Sequence, residues 1–151
     1  MTTTHRRESR EWAVQFLFQT EVNPQDLDKA LVEFWSERKP SDSARRFAED
    51  LIRGVLLNIP ELDASIRKYA EHWDLSRMGI VDRTVMRLGL FEMLHRPDIP
   101  PVVSINEAVD LARDFSDSAS GKFVNGILDR ARKDLDRPAR KPQKKRGESA
   151  A

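Results

Sequence analysis

The chain has 151 residues, of which 34% are charged, with a formal net charge of +1 and no cysteine. That length suits one ordinary domain with a real core. The absence of cysteine excludes a disulfide framework and a thiolate metal site. The start, MTTTHRRESR, carries no apolar leader, and no long uncharged apolar run exists to span a membrane, so the cytoplasm is the expected location.

Charge is distributed unevenly. Residues 137–151 hold six basic side chains against the single acid Glu148, and the first ten residues hold Arg6, Arg7 and Arg10 against Glu8. Residues 11–136 are therefore acidic on balance. Basic ends on an acidic body fit a polyanion contact at the ends, and equally a solvated tail beside an arginine-rich helix surface.

Every apolar pattern in the chain has a helical period. A first helix is predicted over about His5 to Glu21, with Trp12, Ala13, Phe16, Leu17 and Thr20 on its main face. Asn23–Pro24 makes a turn, and a second helix runs from about Pro24 or Gln25 to Glu37. Lys39–Pro40 breaks it, and Ser41 or Asp42 can cap a third helix over about Ser43 to Asn58. Pro60 opens a fourth, which reaches about His72. Trp73–Gly79 is a longer connection. The fifth helix, about Ile80 to His95, is apolar around most of its circumference and is expected to be central, with Gly89 marking a close approach.

The run Pro97–Asp98–Ile99–Pro100–Pro101 leads into a helical hairpin from Ser104 to Ala131. Ser104 and Glu107 have the spacing of a capping box at the start of the sixth helix. Ser116–Ser120 reads as the turn, and Lys122–Phe123 as the start of the seventh helix. Asn106 and Asn125 are amides inside strong helical patterns, which packing alone does not explain. After Leu135 the composition shifts to Pro, Lys, Arg, Gly and Ser. The expectation is an all-α fold of about seven helices. Residues 1–135 form one helical domain with subdomains near 5–59 and 60–135, followed by a disordered basic tail at 136–151.

No catalytic constellation is visible. The histidines His5, His72 and His95 lack metal-ligand spacing, and the glycines form no phosphate loop. No catalytic residue, metal or cofactor is expected. RNA-binding chemistry is better represented. Arg6, Arg10, Val14 and Phe18 step by four along the first helix, beside Arg7, on a line read as lying off the Trp12–Phe16 face. An exposed Phe18 next to guanidinium groups would stack on unpaired bases; a buried Phe18 would simply pack between helices. Lys122–Phe123 poses the same alternative.

The segments RRESREWAVQFLF (Arg6–Phe18), SINEAVDLARDF (Ser104–Phe115) and KFVNGILD (Lys122–Asp129) resemble the NusB family of bacterial transcription antitermination factors. So do VMRLGLFEML (Val85–Leu94) and Asp98–Ile99–Pro100, and the resemblance covers about residues 5–133 in order. It implies two packed helical subdomains. It also implies pairing with NusE, a small-subunit ribosomal protein. Such a pair binds the box A element of nascent RNA, joins NusA, NusG and RNA polymerase, and promotes read-through of terminators in ribosomal RNA operons.

Carried onto this sequence, Arg6, Arg7 and Arg10 match the family's RNA-contacting start, with Phe18 standing where Tyr is common. Lys122 and Phe123 match its second RNA-proximal segment. Asp82, Arg83, Arg87 and Glu92 fall where the family offers a surface to NusE. Asn106, Glu107, Asn125 and Gly126 match positions read as mainly structural, the amides as buried ties between two helices and Gly126 as a point of close approach. Two further readings stay open: a helical protein-interaction module, and an RNA-binding accessory to an RNA-modifying enzyme.

Overall fold

The computed structural model describes residues 3–135 and Ala139. Among them all regular elements are helical: seven α-helices and one short 3₁₀ turn, with no strand. The all-α expectation therefore holds. The basic tail expected at 136–151 lies outside the described residues, apart from Ala139. No helix among the described residues is long and apolar enough to cross a membrane. The chain divides into two compact units, residues 1–57 and 58–151.

The first unit holds α1 (Thr3–Val22), α2 (Leu27–Ser36) and α3 (Asp42–Leu57). Asp26 caps α2, its carboxylate accepting from the Lys29 backbone N–H at 3.1 Å. Ser41 caps α3 through the Ala44 N–H at 3.2 Å, one of the two residues anticipated there. Between α1 and α2 lies an aromatic cluster. Trp12 meets Trp35 at 5.4 Å and Phe16 meets Phe34 at 5.4 Å, both nearly perpendicular. Such edge-to-face pairs each add about 0.5–1.5 kcal/mol beyond the area they bury. Ser9, fully buried, donates to the Ala44 carbonyl at 3.0 Å and so fastens the start of α1 to α3.

The second unit holds α4 (Ile59–Tyr69), a 3₁₀ turn (Leu75–Arg77), α5 (Ile80–His95), α6 (Pro101–Phe115) and α7 (Ser118–Lys133). Helix α5 packs on α4, α6 and α7, which makes it the central helix the sequence indicated. Gly89 is why it can sit so close. A Cβ there would lie 3.0 Å from Leu128 Cδ1 and 3.3 Å from Ala108 Cβ. Arg87 pairs with Asp63 through two hydrogen bonds of 2.7 and 3.0 Å, tying α5 to α4. Tyr69 donates to Asp134 at 2.6 Å, and Arg130 donates to the Tyr69 carbonyl, holding the end of α7 to the end of α4.

The hairpin departs from expectation at both helix starts. Helix α6 opens at Pro101, behind Pro100, so Ser104 lies inside the helix and is not its cap. Its hydroxyl is buried and donates to Glu92 Oε1 of α5 at 2.9 Å. Proline is favoured in the first turn because that turn needs no N–H bond, and this outweighed the capping-box spacing. Helix α7 opens at Ser118 behind Asp117, whose carboxylate accepts from the Ser120 N–H at 2.8 Å. The serine-rich stretch is therefore the first turn of a helix, and Lys122 and Phe123 lie in its second.

Candidate nucleic-acid interface

The three arginines of α1 occupy three different environments. Arg7 is exposed, Arg6 is half-buried, and Arg10 is only 1% exposed. The guanidinium of Arg6 lies 4.7 Å from the Phe47 ring centre, and that of Arg10 lies 5.4 Å from it. The line through Arg6, Arg10, Val14 and Phe18 is thus not off the core face, as the sequence suggested. Val14 is as buried as Phe16. A step of four residues advances about 40° beyond a full turn, so a line that starts at the surface drifts inward within two turns. Phe18 is half-buried and lines a cavity of about 470 Å³ with Phe16, Val22, Phe34 and Arg38. The Arg38 guanidinium sits 3.6 Å from the centre of the Phe34 ring and donates to the Phe34 carbonyl at 2.8 Å.

In the second unit, Lys122 projects into solvent and Phe123 is half-exposed. Phe123 meets Trp73 edge-on, with ring centres 5.2 Å apart. Trp73, 60% exposed, was not among the residues the sequence pointed to. Its signal was an aromatic in a polar connection, on no apolar stripe. The backbone around it is fixed. The Trp73 N–H bonds the Ala70 carbonyl at 2.8 Å, and Asp74 accepts from the Ser76 N–H at 3.0 Å. Bonding to the Ser76 hydroxyl and N–H holds the Asp74 carboxyl below the usual carboxylate range. The accessible face of Trp73, held by the Phe123 edge, is a surface on which an unpaired base can stack, and Lys122, next to Phe123 in the chain, is a solvent-exposed cation able to meet a phosphate.

Arg113 of α6 was also not anticipated. Its stem crosses the first turn of α7 at Gly121, where a Cβ would lie 2.8 Å from Arg113 Cγ. Gly121 therefore seats that arginine beside Lys122.

The four residues offered as a partner surface are all engaged within the unit. Asp82 accepts from the Ser120 hydroxyl, and Arg83 donates to the Met78 carbonyl. Arg87 binds Asp63. Glu92, 1% exposed, accepts from Ser104, so it acts as a buried acceptor and offers no surface. The amides read as buried ties are likewise elsewhere. Asn106 and Asn125 are both exposed, and a Cβ at Gly126 would meet only Arg130 Nη2, at 3.9 Å.

The architecture defines a helical module of two compact units bearing cationic and aromatic surface groups, with no group of three metal-ligating side chains among the described residues. Comparison places it within a family. Residues 7–133 match the model of the NusB family, and the chain belongs to that family. It is 43% identical over 137 residues to the transcription antitermination protein NusB of Myxococcus xanthus, covering 88% of this chain and 98% of that one. It is 44% identical over 136 residues to the NusB of Desulforapulum autotrophicum, covering 87% and 95%. Among solved structures it matches T. maritima NusB with a TM-score of 0.79 and 40% identity, covering 89% of this chain and 92% of that one. It also matches a structure of the antitermination factors NusB and NusE in complex with dsRNA, with a TM-score of 0.79 and 26% identity, covering 89% and 100%.

Proposed function

We propose that this chain is an RNA-binding transcription antitermination factor that acts without a chemical step. With NusE it binds box A of nascent RNA, and with NusA, NusG and RNA polymerase it supports read-through of terminators in ribosomal RNA operons. The observation that carries this reading is the exposed Trp73 held edge-on by Phe123, in the same unit as the solvent-exposed Lys122, in a chain of the NusB family. Arg7 supplies phosphate contact from α1, and the accessible edge of Arg6 assists. Phe18 and Arg10 serve mainly to build the first unit. The exposed parts of Asp82, Arg83 and Arg87 are offered to the protein partner, with Glu92 supporting them from inside.

A gel-shift titration of box A RNA and a scrambled RNA, with and without NusE, tests this. Preferential binding of box A, strengthened by NusE, is expected. Equal retention of both RNAs in the presence of NusE would refute the assignment.

A further inference from the structure

The sequence singles out Asn106 and Asn125, and the structure places both side chains on the surface. Each sits mid-helix, where asparagine costs roughly 0.7 kcal/mol against alanine. Each is exposed, and among the described residues neither carboxamide has a hydrogen-bond partner. Yet they stand together. Both line a surface cavity of about 450 Å³ between α6 and α7, shared with Asp110, Arg113, Gly121 and Lys122. Both also line an adjoining cavity of about 210 Å³ that includes Asp129, Arg132 and Ala139. The two amides thus form the middle of one groove along the hairpin.

The charges along this groove are sorted. At its far end Arg132 donates to Asp129 at 2.9 Å, and that bond keeps the Asp129 carboxyl below the usual carboxylate range. Those two charges satisfy each other. At the near end Arg113 lies only loosely by Asp110, at 3.7 Å, and Lys122 has no ion pair among the described residues. Among the described residues the groove therefore runs from Arg113 and Lys122, with Asp110 beside them, past two exposed carboxamides to the Asp129–Arg132 pair. A carboxamide presents a donor and an acceptor side by side, the pattern that pairs with a base edge bearing the complement, such as adenine N6 and N7.

We propose that the α6/α7 groove reads the bases of the bound single-stranded RNA, with Asn106 and Asn125 as sequence-determining residues and Lys122 and Arg113 holding the flanking phosphates. This rests on the RNA-binding function proposed above and deepens it. Amides neutralise no phosphate, so their removal should change sequence preference and leave the salt dependence alone; removal of Lys122 should do the reverse.

The test uses the full chain with NusE, and measures affinity for box A RNA and for single-base variants of it across a salt series. The Asn106→Ala and Asn125→Ala variants should each lose about tenfold in discrimination against at least one base substitution. The slope of log affinity against log salt should equal that of the unmodified protein. Asn125→Asp, which keeps the shape, loses the donor and adds a negative charge, should lose the same discrimination and also bind more weakly overall. Far-UV circular dichroism checks that helicity is kept.

Unchanged discrimination in both alanine variants overturns the groove assignment while leaving RNA binding itself intact. Loss of NusE affinity with discrimination intact overturns it in favour of a protein interface. Failure of the unmodified chain with NusE to prefer box A overturns the RNA reading and this proposal together.

Discussion

Arg7 and Arg10 look alike in the sequence and do opposite work in the structure. Arg10 is buried at 1% exposure against the Phe47 ring, whereas Arg7 is exposed. Counting in steps of four could not separate them, because the apolar run from Trp12 to Phe18 buries α1 over a wide arc. Truncating Arg10 removes a large buried side chain and its contact with the Phe47 ring. Arg10→Ala should therefore cost about 2–4 kcal/mol in urea unfolding. Arg7→Ala should leave the unfolding midpoint nearly unchanged and weaken RNA binding. The Asp63–Arg87 pair belongs to the first type. Its side chains are 12% and 15% exposed, so Asp63→Ala should cost about 3 kcal/mol by taking away the carboxylate that the largely buried guanidinium faces.

At the scale of the element, the sequence was most informative where a helix has one apolar stripe and least informative at the ends of the hairpin. The existence of α6 and α7, and the central place of α5, follow from periodicity and from the spread of apolar residues around Ile80–His95. The helix starts depend on which local device prevails, and there Pro101 and Asp117 displaced the expected boundaries. The glycines divide the same way. Gly89 and Gly126 both sit mid-helix, and only the packing tells them apart. Alanine at 89 gains about 1 kcal/mol of helix propensity but must displace the fully buried Leu128, a clash that typically costs more. Gly89→Ala should lower the melting temperature. Gly126→Ala meets only the tip of Arg130 and should stabilise by about 1 kcal/mol, raising it. Equal shifts for the two would show that close approach of α5 to its neighbours is not what fixes residue 89.

For the molecule as a whole, the net charge of +1 is small and unevenly placed, with residues 11–136 acidic on balance between two basic ends. Affinity must come from a few local groups, and these differ in kind. Lys122 contributes a counterion-releasing phosphate contact, and Trp73 contributes a stacking face without charge. The two mechanisms respond differently to salt. Removing one phosphate-neutralising cation from a single-strand complex should flatten the slope of log affinity against log salt by about 0.7. Removing a stacking partner instead lowers affinity by about 1–3 kcal/mol at every salt concentration. Lys122→Ala should therefore reduce the slope by about 0.7 and Trp73→Ala should shift the whole line downward in parallel. Arg7→Ala should match Lys122→Ala, and in the double variant the two reductions should add if both residues touch one RNA. The sequence indicated Lys122 and Arg7 because cations near helix starts are conspicuous. It concealed Trp73 because an aromatic's exposure is decided by packing, and Trp73 becomes visible as a surface residue only once Phe123 is seen to hold its edge. A Trp73→Ala line flatter than the wild-type line, converging with it at high salt, would mean that Trp73 acts by positioning Lys122, and not by stacking.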